Sequence, residues 1–299
     1  MIKNMAELDV VVVGGVGVDT IVRVGELPLP VADTIKVPPI RRYVGHTGNG
    51  VAMGCHSLGL RTHFADVIGD DPDGEFVLAH YARTGLPFDY RTHPSGTRCA
   101  VNLVDPGGQR TSLYDGRHPD GMEVDAELYR PLLRKAKHAH LSIVDWARHA
   151  LRDAVELGLT TSTDLHNWDG VSEYRKDFAY GCDLVFLSAG KLGGRMAEVT
   201  GDILDRGRAR AVIVMAGGQG SHLCLPGHPP RHVPPVELPP ERVVDTNGAG
   251  DSYVAGFLYA YLAGRDWHAC ARAGSLAGAH AVCSPGTHTS FITAAELDS

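Results

Sequence analysis

Between residues 245 and 258 the chain reads Asp245-Thr246-Asn247-Gly248-Ala249-Gly250-Asp251, followed by the apolar stretch Tyr253-Val254-Ala255-Gly256-Phe257-Leu258. Gly248, Ala249 and Gly250 carry almost no side chain, so their backbone N–H groups, at the start of a predicted helix, can approach an anion closely. The helix dipole adds ~0.3–1 kcal/mol to that attraction. Asp251 then falls in the first turn, beside the anion. A bound phosphate disfavours a carboxylate there, but a general base taking the proton of a substrate hydroxyl has to stand in such a place. The spacing therefore points to an anion hole with a base next to it. Glycines before a helix and an aspartate in its first turn also occur as plain turn and cap chemistry, and the short run alone leaves both readings open.

Other glycine-rich runs fail as nucleotide fingerprints. Gly15-Val16-Gly17-Val18-Asp19-Thr20 lacks the third glycine of a dinucleotide site and continues into the strand-like Val22-Arg23-Val24. Gly45 to Gly50 has the glycine spacing of a Walker loop, but Val51-Ala52 stands where Lys and Ser or Thr belong. The six cysteines, Cys55, Cys99, Cys182, Cys224, Cys270 and Cys283, are far apart with no CxxC pair, which suits reduced thiols in a cytoplasm better than zinc or a disulfide scaffold. None of the sixteen histidines falls into a metal-ligand spacing; Lys137-His138-Ala139-His140 comes nearest and leads into a predicted strand.

The elements that must hold these residues follow from hydrophobic patterning. The 299 residues, 43% apolar and 21% charged with a mean hydropathy of -0.09, describe a globular chain. A formal net charge of -7 and a pI near 6.1 lack the basic footprint of a nucleic-acid binder. No apolar stretch reaches the ~18 residues of a membrane span, and Glu7 and Asp9 ahead of the run Val10 to Val18 argue for a buried strand rather than a signal peptide. Val10 to Val13 reads as a central parallel strand, with similar runs at Thr62 to Val67, Val101 to Val104, His140 to Val144, Leu184 to Leu187 and Ala211 to Met215. Helical stretches alternate with them: Gly50 to Leu58, Pro72 to Arg83 capped by Asp71, Ala147 to Leu157, Leu192 to Val199, and the small-residue-rich Ala249 to Ala263 and Trp267 to Val282. The alternation predicts a doubly wound α/β sheet. Two segments break it. Ile21 to Tyr43, with the alternating pieces Ile21 to Val24 and Thr34 to Val37, predicts a small β lid; Pro226 to Pro240 predicts a surface connection outside sheet and helix.

Taken in order, these motifs resemble the ribokinase-like (PfkB) carbohydrate kinases. The run 245–251 is similar to the family's Asp-Thr-x-Gly-Ala-Gly-Asp signature. Gly14 to Asp19 resembles its opening strand and sugar-binding aspartate, Gly45 to Gly59 its first glycine-rich signature, and Gly69, Asp71 and Gly74 its Gly-x-Asp-x-x-Gly turn. Gly96-Thr97 and Val104 to Thr111 resemble its central hairpin, and Pro285-Gly286 its C-terminal turn, so nearly the whole chain is covered. The resemblance implies a ribokinase-like α/β fold, a doubly wound, mostly parallel sheet flanked by helices. Residues 1–20 and 44–299 would form the kinase domain, and 21–43 with parts of 97–114 the small β-sheet lid. It further implies Mg2+-dependent transfer of the γ-phosphoryl group of ATP to a hydroxyl of a sugar or sugar-like molecule. Asp251 would be the base and the amides of Gly248, Ala249 and Gly250 the anion hole. Asp19, Gly45, His46, Asn49 and Gly50 would surround the substrate, and Lys191, Ala216, Gly218, Gly220, Thr246 and Ser275 the nucleotide.

Departures from the family pattern carry their own expectations. Asn49 stands one place before the family's usual asparagine, aligned with Gly50, and His46 replaces a frequent glycine. Ser188-Ala189-Gly190-Lys191 occupies the position of an Asn-x-x-Glu that helps hold magnesium, so the metal ligands are unassigned and Lys191 is expected to neutralise phosphate charge. Ala216 replaces a threonine or leucine, Ser275 an asparagine, and Asp164 with His166 an Asp-x-Asn. A nucleoside kinase and a catalytically silent binding relative stay open as alternatives. The expected setting is cytoplasmic, with a homodimer formed through the exposed lid edge and with neither nucleic acid nor membrane as partner.

Overall fold

The computed structural model describes residues 6–299. Its first half runs β1 (Leu8–Val13), β2 (Gly17–Arg23), β3 (Arg41–Gly45), α1 (Thr47–Ser57), β4 (Thr62–Ile68), α2 (Pro72–Thr84), β5 (Phe88–Thr92), β6 (Cys99–Val104) and β7 (Arg110–Asp115). The second half runs α3 (Arg130–Leu133), β8 (Ala136–Leu141), α4 (Ala147–Glu156), β9 (Thr160–Asp164), α5 (Lys176–Gly181), β10 (Leu184–Ser188), α6 (Met196–Arg206), β11 (Ala211–Met215), β12 (Ser221–Cys224), β13 (Arg231–Val233), α7 (Ala249–Leu262), α8 (Trp267–Ala281) and α9 (Ala294–Leu297).

β-Branched side chains at successive positions suit a strand covered on both faces. Accordingly Val10 and Val12 of β1 pack into one apolar layer and Val11 and Val13 into the other, all fully buried. Each such burial is worth roughly 1.5–3 kcal/mol. Among the described residues nine strands form the main sheet, in the order β13-β12-β11-β10-β9-β8-β1-β4-β5. From β11 to β5 the strands are parallel, and β12 and β13 close the far edge antiparallel. The chain moves outward from β1 in one direction through β4 and β5, then in the other through β8, so strand order reverses between β1 and β8. In open α/β sheets such a reversal opens a crevice at the carboxyl ends of the strands.

Four strands, in the order β3-β2-β6-β7, form a separate small sheet. It draws on residues from both sides of the expected 21–43 segment: β2 begins at Gly17, and Thr34 to Val37 is not a strand, its place being taken by Arg41–Gly45. Val101 to Val104 likewise belongs to this sheet and not to the main one. The strand expected at His140 to Val144 lies earlier, at Ala136–Leu141, and the helix expected at Leu192 to Val199 begins only at Met196, after two short 3-10 turns. The proline-rich stretch 226–240 does contribute to a sheet: Arg231–Val233, free of proline, adds the edge strand β13.

Strand β9 is invisible to hydrophobic patterning because its sequence is Thr-Thr-Ser-Thr-Asp, yet Thr161, Ser162 and Thr163 are fully buried. Their hydroxyls are satisfied internally. Ser162 Oγ lies 2.7 Å from His138 Nε2 and 2.9 Å from His140 Nδ1, and Thr163 Oγ1 donates to Leu141 O at 2.8 Å. Burial pushes both histidines down to about 3, so they serve as uncharged partners of a polar strand.

One buried ion pair pins the two places where the chain crosses into the small sheet. Asp66, at the end of β4, accepts from Val16 N at 2.6 Å and from Arg98 Nη2 at 2.5 Å, while Arg98 Nε donates to Val16 O at 3.2 Å. Val16 leads into β2 and Arg98 into β6. With side-chain exposures of 2% for Arg98 and 0% for Asp66, neither charge has water as a substitute. Asp66→Ala would strand the guanidinium, and a loss of about 3–5 kcal/mol is expected in urea unfolding; a loss below about 1 kcal/mol, the scale of an exposed pair, would show that the junction is held by other contacts.

Candidate active site

A cavity of about 1370 Å3 lies between the carboxyl ends of the main-sheet strands and the inner face of the small sheet. Gly15, Ser142, Asp164, Ser188 and Met215, from the ends of β1, β8, β9, β10 and β11, form its floor. Strand alternation supplies the roof: in the cross-strand rows Asp19-Ala100-Tyr114, Ile21-Asn102-Ser112 and Arg23-Val104-Arg110, the residues Asp19, Ala100, Tyr114, Asn102, Ser112 and Arg110 border the cavity.

The start of α7 opens into this space. Gly248 is its N-cap with φ +77°, a left-handed conformation that glycine adopts without a Cβ clash, and no side chain caps the helix. Among the described residues the N–H groups of Gly248 and Gly250 make no backbone hydrogen bond outside the helix, and that of Ala249 reaches Thr246 O only at 3.4 Å. Gly248, Ala249, Gly250 and Asp251 all border the cavity. The predicted anion hole and its neighbouring acid are therefore brought together. Arginines of the small sheet tie the approach to this helix: Arg23 Nη2 donates to Asp245 Oδ2, and Arg110 Nη1 to Asn247 Oδ1.

Asp251 is 7% exposed, and its Oδ2 lies 2.7 Å from His288 Nε2. Oδ1 has no hydrogen bond among the described residues. Its neighbour Asp164 accepts from His166 N at 2.8 Å, and burial, with the charge of Asp251 added, pushes the Asp164 carboxyl up. On the roof, His46 Nε2 stands 3.4 Å from Asp19 Oδ1, and both side chains border the cavity. Burial pushes the Asp19 carboxyl up, but the His46 ring beside it outweighs this and holds it below its ordinary value.

The remaining expected residues divide. Thr246, Gly218, Gly220 and Ser275 border the cavity. Ala216 does not; its N–H closes the turn onto Gly220 O at 2.8 Å. Gly45, Asn49 and Gly50 also stand behind the cavity wall. A Cβ at Gly45 would overlap Asp19, and one at Gly50 would lie 2.5 Å from Asp251 Cβ. Asn49 is fully buried and bonded to Tyr81, Val44 and His288. Lys191 ends an outward-facing 3-10 turn, exposed, and it is Ser188 that borders the cavity. The cation that does border it close to Asp164 is Arg175, whose Nε is buried without a partner. Sequence patterning picks out neither His288 nor Arg175; the one signal for His288 is its place just after Pro285-Gly286.

Gly50→Ala would force a methyl group into Asp251 and His288. The expected result is a stability loss of about 1–3 kcal/mol in urea unfolding with a larger proportional fall in turnover; an unchanged protein would show that α1 can withdraw from α7.

Residues 7–294 match the model of the pfkB family carbohydrate kinases. The chain is 44% identical over 290 residues to an acarbose 7(IV)-phosphotransferase of Actinoplanes sp., covering 97% of each. Among solved structures it superposes on the microbiome-derived acarbose kinase Mak1 with a TM-score of 0.92 and 52% identity, over 97% of this chain and 98% of that one. A ribokinase of Arabidopsis thaliana, complexed with ribose and ATP, shares the fold at a TM-score of 0.80 and 21% identity, over 97% of both chains. A family match across this span, with relatives of that identity along the full length, makes the chain a member of the pfkB family of carbohydrate kinases and a sugar kinase that phosphorylates an alcohol group with ATP as donor.

Proposed function

We propose that the protein phosphorylates a hydroxyl of acarbose or an oligosaccharide like it, with Asp251 as general base. The observation that carries the chemistry is the convergence of the start of α7, with the Gly248 and Gly250 amides unbonded, a partly free carboxylate and the Asp19–His46 pair on one cavity. The likeness to an acarbose 7(IV)-phosphotransferase and to an acarbose kinase, together with the cavity's size, supports this choice of acceptor. About 1370 Å3 exceeds the ~300–1,000 Å3 of usual small-molecule pockets and leaves room for ATP beside more than one sugar ring.

In this reading Asp19 and His46 hold acceptor hydroxyls and present one of them to Asp251. Oδ1 takes its proton as the hydroxyl oxygen bonds to the γ-phosphorus, and ADP departs toward Gly218, Gly220 and Ser275. The N–H groups of Gly248, Ala249 and Gly250 stabilise charge on the transferring group; loss of one such donor costs about 2.7–4 kcal/mol in other enzymes. Arg175 faces the same charge. The small sheet, held down through Arg23 and Arg110, acts as the lid that keeps water from competing as acceptor.

Magnesium fits this site as a nucleotide-borne ion. Among the described residues no three His, Cys, Asp or Glu side chains gather into a cage, and Mg2+ commonly binds one or two carboxylates with water and phosphate. Asp164 is suited to hold it, because a cation there would relieve a carboxyl that burial and Asp251 disfavour. When bound, the ion supplies neutralisation of phosphate charge. The outer strands β3 and β7 of the small sheet leave edges unpaired, and we read the protein as a cytoplasmic homodimer joined through that sheet. All six cysteines are unpaired, as reduced thiols would be, and among the described residues no helix is long and apolar enough to cross a membrane.

ADP release measured with Mg-ATP over acarbose, maltose, ribose and nucleosides, beside Asp251→Asn, tests the reading. Turnover with acarbose is expected, with a loss of about 10²–10⁴-fold in the variant and retained ATP binding. A nucleoside-only response contradicts the acceptor; undiminished turnover in Asp251→Asn contradicts the base.

A further inference from the structure

Behind Asp251 runs a chain of hydrogen bonds whose direction is set at its far end. The side-chain nitrogen of Asn49 lies 3.1 Å from Val44 O, a carbonyl that can only accept, so Nδ2 must face it. The amide oxygen is then the group that accepts from Tyr81 OH at 2.8 Å. The second hydrogen of Nδ2 points at His288 Nδ1, 3.2 Å away. A ring nitrogen receiving a hydrogen carries a lone pair, so the ring's proton is on Nε2, which donates to Asp251 Oδ2 at 2.7 Å. The three bonds that link Tyr81, Asn49, His288 and Asp251 therefore all run in a single direction.

The fold makes special provision for this ring. His288 has φ +54°, a left-handed conformation uncommon for a residue with a side chain. Its side chain is 2% exposed, between Gly50 and Gly248, whose absent Cβ atoms leave its space, and it stacks on Phe291 at 6.1 Å. A histidine kept only for packing would not need its proton placed by three other residues.

From this geometry we infer that His288 is a positioning residue for phosphoryl transfer: its Nε2–H holds Asp251 Oδ2, fixing the carboxylate so that Oδ1 meets the acceptor hydroxyl. The inference rests on the reading of Asp251 as base and adds what aims it. Oδ2 is occupied by a donor throughout, so the incoming proton has one oxygen to go to. Side-chain rotation of Asp251, which would carry both oxygens off the line of attack, is blocked by the same bond.

His288→Gly is the informative variant, because glycine adopts the left-handed backbone freely and leaves an imidazole-sized space. On acarbose and Mg-ATP the expected result is a fall in kcat of about 10²-fold, the scale of a misplaced reacting group, with both KM values little changed and part of the kcat restored by added imidazole. In the unmodified protein, 15N NMR of the His288 ring should report the proton on Nε2. A variant that turns over like the parent while Asp251→Asn is inactive overturns the positioning role and leaves the base intact. Raised KM without imidazole rescue overturns it in favour of packing. Full activity of Asp251→Asn removes the base and the inference with it. A ring protonated on Nδ1 overturns the inference whatever the turnover.

Discussion

Where α1 meets α7 there is no room for a side chain on the α1 face. A Cβ at Gly50 would stand 2.5 Å from Asp251 Cβ, and one turn later a Cβ at Gly54 would stand 2.6 Å from that of Ala255. At the head of α1, the space a side chain on Gly48 would need is taken by the carbonyl of Gly14, so the helix also abuts the end of β1. The two helices thus run side by side at backbone distance and open their amino ends, through Thr47 and Gly248, into one cavity. Each end carries roughly half a positive charge from its aligned peptides. An anion in the cavity meets both, and Asp251 and His288 are held in the narrow seam between them.

The second constraint joins the two sheets. Asp66 and Arg98 pin the starts of β2 and β6 to the end of β4, while Arg23 and Arg110, in one cross-strand row on the inner face of the small sheet, reach down to Asp245 and Asn247. Asp245 does more than contact the small sheet. It also accepts from Asn247 N at 3.0 Å and from Gly286 N at 3.1 Å, which places the approach to α7 and the turn before His288 on one carboxylate. The roof of the cavity, the start of α7 and His288 are therefore mechanically linked.

What the sequence makes legible is what rests on local rules. The amino end of α7 can be read because small residues followed by an acid have direct geometric meaning there, and β1 because valine at four successive positions states burial on both faces. Asp71 at the head of α2 is legible as a cap, and the structure has it accepting from Gly74 N at 2.8 Å. What escapes is decided by tertiary contact. Strand β9 is buried through hydroxyl pairing with histidines from a neighbouring strand, which no hydrophobic period can register. His288 meets Asp251 from 37 positions further along the chain, and its conformation is unusual for its residue type. Lys191 suggests a phosphate contact by its place after β10, but the turn that follows carries it outward, and Arg175 comes in from the far side. Asn49 suggests a substrate contact by its place in the glycine-rich run 45–59, but it lies behind the cavity wall, bonded to Val44, Tyr81 and His288.

A crystal structure of the protein with ADP, aluminium fluoride, Mg2+ and acarbose tests the cradle at the start of α7 most directly, because the fluoride group imitates the phosphoryl group in flight. Fluorine atoms are expected about 2.7–3.1 Å from the amide nitrogens of Gly248, Ala249 and Gly250, with an acarbose hydroxyl on Asp251 Oδ1 and His288 still on Oδ2. A fluoride group bound away from the start of α7, or a hydroxyl that approaches it without contact to Asp251, would contradict that arrangement.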